Sequence, residues 1–261
     1  MIYTIVSQTD PGRARENNED AVAYDASTCL GVLADGMGGY NAGEVASGMA
    51  TAFIKSEMAR WLSEAGKQAS TREIRRALEI CVDNANRSVF NAANSNAQYS
   101  GMGTTLVVAV FQNEKVLLGH IGDSRCYRLR GGELTQITKD HSLLQEQIDA
   151  GLLTHEQAAT SSHKNLVTRA LGVEDAVLLE LNEHEVEPGD LYLLCSDGLS
   201  DMANDSEIAA ILASQTPMAQ KAERLISIAN EHGGRDNITV LLVQAGASDK
   251  RRGLISRLLG K

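Results

Sequence analysis

The sequence is poor in aromatic residues and prolines, and its cysteines are widely separated. Phe, Trp and Tyr together make up 4% of the 261 residues, and proline occurs three times. No Cys-x-x-Cys pair is present, so neither a disulfide framework nor a cysteine zinc site is indicated. We therefore expect free thiols in a reducing, cytoplasmic environment. The four cysteines are Cys29, Cys81, Cys126 and Cys195.

Long apolar runs and an excess of positive charge are also absent. The longest apolar run, from Leu106 to Phe111, has the length of a strand and cannot span a bilayer. The first ten residues, MIYTIVSQTD, lack the basic start and apolar core of a signal peptide. The formal net charge of -10 argues against nucleic acid as a partner.

The spacing of apolar residues predicts an α+β protein. Helices are expected from about Ala42 to Ser63, and again after a capping box formed by Ser70 and Glu73. Four closely spaced strands between Thr104 and Thr138 leave no room for crossover helices, so they must be antiparallel. Further helices are expected at Ser206–Ser214 and Pro217–His232, the latter capped by Thr216, and further strands at Ile2–Ser7, Ala21–Tyr24, Cys29–Ala34, Asp190–Ser196 and Ile238–Val243. This order favours a sheet core with helices outside it.

The stretch VLADGMGGYNAGE joins an apolar run to a glycine-rich turn through Asp35. The spacing of Gly38 and Gly43 fits a phosphate-binding loop, but the lysine that should follow is Glu44, which would repel a triphosphate. The dinucleotide-binding pattern also fails, because Asn41 stands where its third glycine should be. The turn is better explained as a place where Asp35 binds a metal ion.

Acidic residues stand at the ends of several other predicted strands. They are Asp20, Asp123, Asp197 and Asp236. A lone Asp beside Gly is usually a turn residue, but carboxylates that meet at one end of a sheet repel each other unless a cation binds between them. All-oxygen ligands favour Mg²⁺ or Mn²⁺ over zinc. Arg15, four residues before Glu19, either pairs with these acids or offers its guanidinium to a phosphate.

Eight motifs in order resemble those of the metal-dependent type 2C serine/threonine protein phosphatases, especially the bacterial members. They lie between Arg15 and Val240 and read RENNED, LADGMGGYNAGEVAS, GMGTTL, IGDSR, TKDHSL, TRALG, CSDGLSD and GGRDNITV. The resemblance implies a four-layer α-β-β-α sandwich, in which a central antiparallel β-sandwich lies between helix pairs. It also implies hydrolysis of phosphoserine and phosphothreonine by a water activated in a binuclear Mn²⁺ or Mg²⁺ centre.

The same resemblance assigns a role to each candidate site residue. Four residues would supply the direct protein ligands of the two ions: Asp35, which bridges them, the carbonyl of Gly36, Asp197 and Asp236. Glu19 and Asp20 would act mainly through metal-bound waters. Arg15 would bind the phosphate, and Asp123 would hold a third, weaker ion. The residues expected to act in catalysis are therefore Arg15, Asp35 and Asp123.

Two positions depart from the family pattern. Many eukaryotic relatives have a histidine, assigned as the general acid, where Met37 stands. Because Met cannot donate a proton, we expect a metal-bound water to protonate the leaving group. Many bacterial relatives have a histidine in place of Tyr40, and this change is expected to alter substrate contacts rather than the core chemistry.

The domain organisation predicted here is one catalytic domain over residues 1–247, with a flap insertion at about 142–176. The tail at 248–261 carries five basic residues and one acid, and it is either a frayed terminus or a segment that docks on a protein or membrane surface. Expected partners are phosphorylated proteins, including a cognate serine/threonine kinase and its substrates. Two alternatives stay open: a metallophosphoesterase acting on small esters, and a catalytically inactive regulatory module.

Overall fold

The computed structural model describes residues 1–39, 42–154, 157 and 166–247. Tyr40, the basic tail and most of the expected helix after Thr154 lie outside the described residues. Within them, the chain forms two antiparallel sheets packed against each other, with helices on both outer faces. This arrangement confirms the four-layer sandwich.

Each sheet has a central set of apolar strands. The first sheet contains, in spatial order, β1 (Ile2–Asp10), β11 (Ile238–Gly246), β10 (Leu191–Cys195), β7 (Arg125–Arg130) and β8 (Glu133–Gln136). The second contains β2 (Asp20–Asp25), β3 (Leu30–Met37), β5 (Leu106–Gln112), β6 (Lys115–Ile121) and β9 (Glu180–Glu185), with β4 (Gly103–Thr104) paired to β3. The pairings among these strands are antiparallel, and the hairpin neighbours β2–β3, β5–β6 and β7–β8 have the short connections that require it.

The helices divide between the two faces of the sandwich. The second sheet is covered by α1 (Ala42–Ala65) and α2 (Thr71–Ser95), and the first sheet by α5 (Asp205–Ala213) and α6 (Met218–Glu231). Two shorter helices, α3 (Leu143–Asp149) and α4 (Asp197–Ser200), follow β8 and β10 in the chain. Single 3₁₀ turns occupy Gly66–Gln68 and Ala97–Tyr99.

Neighbouring residues of one strand belong to different apolar layers. Val32 packs with the helices over the second sheet, whereas Leu33 packs between the sheets. Val240 and Leu241 divide in the same way between the other helix layer and the centre. Successive strand residues point to opposite faces, so strands buried on both faces read as continuous apolar runs.

The helix starts show where local chemistry decides the boundary. The Ser70–Glu73 capping box is present, because Glu73 N donates to Ser70 Oγ and Ser70 N donates to Glu73 Oε2. The cap expected at Thr216 was wrong. Helix α6 begins at Met218 with Pro217 as its N-cap and no side-chain cap bond, and the Thr216 hydroxyl bonds Ser214 Oγ instead at 2.8 Å.

The antiparallel order brings several acidic residues to one end of the sandwich. Asp20 at the start of β2 is the direct register partner of Asp35 near the end of β3. In the first sheet, Asp197 directly follows Ser196 at the end of β10, and Asp236 lies just before β11. Asp123 sits in the turn between β6 and β7. The two sheets thus present carboxylates to a common edge.

Candidate metal centre

An acidic cleft of about 280 Å³ lies at this edge of the sandwich. Seven of the eight predicted site residues line it: Arg15, Glu19, Asp35, Gly36, Asp123, Asp197 and Asp236. The eighth, Asp20, is buried beside Asp35. The structure therefore brings all eight together, although they are spread over more than 220 positions of the sequence.

Asp35 is held by its backbone on both sides. Its N–H donates to the Thr105 hydroxyl at 2.9 Å, and its carbonyl accepts from Thr105 N and from Thr104 Oγ1, each at 2.8 Å. Because these bonds come from the Thr104–Thr105 segment, which pairs with the end of β3, the carboxylate projects from a fixed point. Preorganisation of this kind is what a ligand site needs.

Gly36 is packed so closely that no other residue fits. A Cβ added there would lie 2.1 Å from the Gly43 carbonyl oxygen and 2.5 Å from the Glu19 carbonyl oxygen. The first turn of α1 therefore lies directly against the end of β3. Glycine leaves the backbone beside Asp35 open to the cleft, which Gly36 lines.

Two side chains that the sequence interpretation did not single out hold this region together. Ser196 Oγ donates to Asp20 Oδ2 at 2.7 Å and accepts from Thr239 N at 3.0 Å. The Asn237 side chain accepts from Glu19 N at 2.7 Å and donates to two backbone carbonyls of the loop before Glu19. Ser196 lies in the CSDGLSD motif and Asn237 in the GGRDNITV motif. Their position inside these motifs was the only sign in the sequence that they belong to the site.

The carboxylates of the cleft are short of compensating partners. Burial, followed by the charges of neighbouring aspartates, raises the pKa of Asp35 and Asp197 well above the usual range. Burial likewise raises the pKa of Asp20 to about 6. The Oδ1 atoms of Asp20 and Asp197 are buried and have no hydrogen-bond partner in the described part of the chain. Buried anionic oxygens without donors are costly, and a divalent cation supplies the missing partner.

The donors of the cleft are carboxylate oxygens and the backbone of Gly36. Across the described ranges, no three carboxylate side chains of the cleft have their ligand oxygens all within 4.8 Å of one another. Oxygen donors of this kind suit Mg²⁺ and Mn²⁺, so the residues present fit the expected hard divalent ions.

Arg15 lies at the mouth of the cleft. Its Nη2 donates to Asp236 Oδ2 at 2.8 Å, and 53% of its side chain remains exposed. The hydrogen bond and charge of Asp236 raise the pKa of Arg15, so the guanidinium stays charged. Within the described ranges only one nitrogen of Arg15 is engaged, by Asp236, so the other donors of the guanidinium fork are available to an anion entering the cleft.

Among the described residues, Asp123 forms no salt bridge with Arg125. Arg125 instead binds Asp140 through Nε at 3.1 and 3.0 Å and through Nη2 at 2.7 Å. Asp123, Asp197 and Asp201 line a second, small cavity of about 30 Å³ beside the cleft. Asp201 was missed in the sequence analysis, although it is the last residue of CSDGLSD.

An acidic cleft at the ends of two packed sheets, with buried carboxylate oxygens that lack donors among the described residues, defines a site for hard divalent cations. The chain belongs to the protein phosphatase 2C family, whose sequence pattern matches residues 12–242. It is accordingly a metal-dependent serine/threonine phosphatase that uses Mn²⁺ or Mg²⁺.

The relatives agree over almost the whole chain. The serine/threonine phosphatase stp of Listeria monocytogenes is 38% identical over 252 residues, which cover 94% of this chain and 97% of that protein. The crystal structure of the Mycobacterium tuberculosis serine/threonine phosphatase PstP/Ppp superposes with a TM-score of 0.86 at 39% identity, covering 95% of this chain and 100% of that one. The PstP catalytic domain in complex with two manganese ions has a TM-score of 0.81 at 38% identity, covering 94% and 99% of the two chains.

None of the helices in the described ranges is long and apolar enough to cross a bilayer.

Proposed function

We propose that the cleft hydrolyses phosphoserine and phosphothreonine in protein substrates with two ions held by Asp35, the Gly36 carbonyl, Asp197 and Asp236. The observation that carries this assignment is the set of buried carboxylates, with raised pKa values and oxygens that lack donors. When bound, such a pair of ions supplies a water whose pKa is lowered to about 7 as the nucleophile. Asp35, fixed by Thr104 and Thr105, is the residue suited to lie between them.

The remaining site residues, Glu19, Asp20 and Arg15, are assigned to the water and the phosphoryl group that enter the cleft. Glu19, which lines the cleft, and Asp20, which is buried beside Asp35, would act on the ions through water rather than as direct ligands. Arg15 turns its free guanidinium donors to the phosphoryl oxygens and offsets the charge that develops on them. No nucleophilic side chain is needed, because the attacking oxygen comes from water.

Asp123 is assigned to a third, weaker ion site shared with Asp197. The small cavity between these residues and Asp201 supports this assignment. Met37 lines the main cleft but has no proton to give. We therefore assign to Asp123 the support of leaving-group protonation.

The decisive experiment separates a protein phosphatase from the two alternatives. Purified protein with Mn²⁺ is assayed on a panel of phosphoserine and phosphothreonine peptides and on small phosphate metabolites. Asp35→Ala is expected to lower kcat by at least ~10³-fold, because the nucleophile depends on the ions it holds. Asp83→Asn, on the outer face of α2 and paired with Arg87, is the matched control and is expected to retain wild-type activity.

Each alternative has its own outcome in this experiment. Turnover of small metabolites without turnover of peptides would indicate a small-ester phosphoesterase. Metal binding by calorimetry without any turnover would indicate a regulatory module. Full activity after metal stripping and in the presence of chelator would contradict the metal-dependent mechanism.

We also propose a cytoplasmic location and a cognate serine/threonine kinase among the phosphoprotein partners. The four free cysteines support a reducing compartment. The experiment is cell fractionation combined with phosphoproteomics of a strain lacking the protein. Enrichment outside the cytoplasmic fraction would contradict the location, and unchanged phosphorylation of every co-expressed kinase would contradict the partner.

A further inference from the structure

One cluster of titratable side chains lies outside the chemistry described above. The ligand atoms of His120, His141 and Glu180 all lie within 4.8 Å of one another, and no other such group is found in the described ranges. Both histidines are buried, and their rings stack with centroids 4.6 Å apart and an interplanar angle of 12°. A buried, stacked histidine pair needs an explanation.

The cluster does not fit a metal ion. His120 Nε2 lies 2.8 Å from the Lys139 carbonyl oxygen, and His141 Nδ1 accepts from Gly122 N at 3.1 Å. One nitrogen of each ring is therefore already engaged by the backbone. Metal ions lie close to the plane of each imidazole that binds them, and an ion in the plane of one stacked ring lies outside the plane of the other.

His141 instead makes a reciprocal pair of bonds with Gly122. The backbone N–H of His141 donates to the Gly122 carbonyl at 2.9 Å, while Gly122 N donates back to the imidazole. Gly122 has φ +97°, and a Cβ there would lie 2.7 Å from Thr105 Cγ2. The turn is thus pressed against Thr105, the residue that holds Asp35. The next residue in the turn is Asp123.

His141 also contacts the later part of the expected flap. Thr168 N donates to the His141 carbonyl at 2.8 Å, and Ser142 forms an antiparallel bridge with Val167. Val167 lines the acidic cleft. His141 therefore joins two walls of the cleft, one carrying Asp123 and the other carrying Val167.

The hydrogen bonds define the protonation of the ring. A neutral imidazole that accepts at Nδ1 carries its proton on Nε2, which then donates to Glu180 Oε2 at 3.2 Å. Arg169 Nη1 lies 3.3 Å from the same Nε2 and cannot donate to it in this tautomer. Burial lowers the pKa of His141 despite Glu180, and the charges of His120 and Arg169 act in the same direction as burial.

We propose that His141 is a positioning residue, whose Nδ1 holds the Gly122–Asp123 turn against Thr105 and so keeps Asp123 in place beside Asp197. The inference rests on the function proposed above for Asp123. It assigns no chemical step to the imidazole, which acts only through the turn.

Two substitutions at His141 distinguish the role of Nδ1 from that of Nε2. In His141→Asn the amide oxygen can take the place of Nδ1 and accept from Gly122 N, whereas His141→Gln places its amide near Nε2 and leaves Gly122 N without an acceptor. We expect His141→Gln to lower kcat on a phosphopeptide about tenfold with KM within twofold. We expect His141→Asn to stay within about threefold of wild type. One buried hydrogen bond has an effect of this size.

Two readouts do not depend on turnover. Hydrogen exchange at the Gly122 amide should be about tenfold faster in His141→Gln and close to wild type in His141→Asn and Glu180→Gln. Nitrogen-15 NMR of the wild-type imidazole should show Nδ1 unprotonated and Nε2 protonated, a test that no folding defect of a variant can obscure.

The outcomes keep this inference distinct from the proposed function. Equal losses of kcat and of Gly122 protection in His141→Asn and His141→Gln would overturn the positioning role, as would the opposite tautomer in wild type. Asp123→Ala is measured in parallel. If it keeps full phosphopeptide turnover, the role of Asp123 fails, while the exchange and NMR results still decide whether His141 holds the turn.

Discussion

The burial of Asp123 predicts how the stability of the metal-free protein changes with pH. Burial, and then the charge of Asp140, raises the pKa of Asp123 to about 6. An unfolded chain releases this proton near pH 4, whereas the folded chain holds it until about pH 6. The unfolded state therefore loses its proton first, and the free energy of unfolding falls as the pH rises through this window. A pKa difference of about 2 corresponds to a loss of about 3 kcal/mol, complete above about pH 7.

Asp123→Asn removes the charge and should recover this loss. In chelator at pH 8, urea denaturation should give the variant a free energy of unfolding up to about 3 kcal/mol above wild type. At pH 4 the difference should shrink to within about 0.5 kcal/mol, because Asp123 is then protonated in the folded state and about half protonated in the unfolded state. Asp83→Asn, an exposed position on α2, should stay within about 0.5 kcal/mol of wild type at both pH values.

Two results would refute this reasoning. One is a variant no more stable than wild type at pH 8, and the other is a gain of equal size at both pH values. Added Mn²⁺ provides an internal check, since binding to the folded state should stabilise wild type more than Asp123→Asn.

Three further predictions concern activity and packing. Arg15→Ala should lower kcat/KM on a phosphopeptide, and Arg15→Lys should recover it only in part, because lysine keeps the charge without the fork; unchanged kcat/KM in Arg15→Ala would contradict this. Gly36→Ala should lower stability by about 1–3 kcal/mol in thermal denaturation, since its Cβ would meet the Gly43 carbonyl at 2.1 Å. Asp123→Ala should lose more activity on a phosphopeptide than on p-nitrophenyl phosphate, whose leaving group needs less protonation, and equal losses on both would argue against its role.

The strongly patterned parts of the fold could be predicted from the sequence. Strands buried on both faces, such as β5 at Leu106–Gln112, read as unbroken apolar runs with short connections. Helix α2 was predicted from its capping box and its apolar stripe. Strand β9 was not predicted, because ELNEHE at Glu180–Glu185 is almost entirely polar. It forms by pairing with β6 at the edge of the sheet, which is a tertiary effect.

The sequence predicted which residues meet at the cleft, but not how they are held there. The sequence shows Asp20 and Asp35 at strand ends, but only the register of β2 and β3 makes them direct partners. The supporting contacts of Ser196 and Asn237 were not predicted, because a hydroxyl or amide in a turn has a local explanation that needs no distant partner. Side-chain bonds across more than 170 residues depend on the assembled sandwich.

The two sheets contribute to the cleft separately, Asp35 from one and Asp197 and Asp236 from the ends of strands in the other. An ion bound by residues of both sheets would link the two sheets and stabilise the folded protein. Free metal at 100 times its dissociation constant adds about 2.7 kcal/mol to the stability of a folded protein. In a cell short of manganese, the enzyme would lose activity. It would also be less stable, so that more of it would unfold and be degraded by proteases. The amount of phosphatase, and not only its rate, would follow the metal supply.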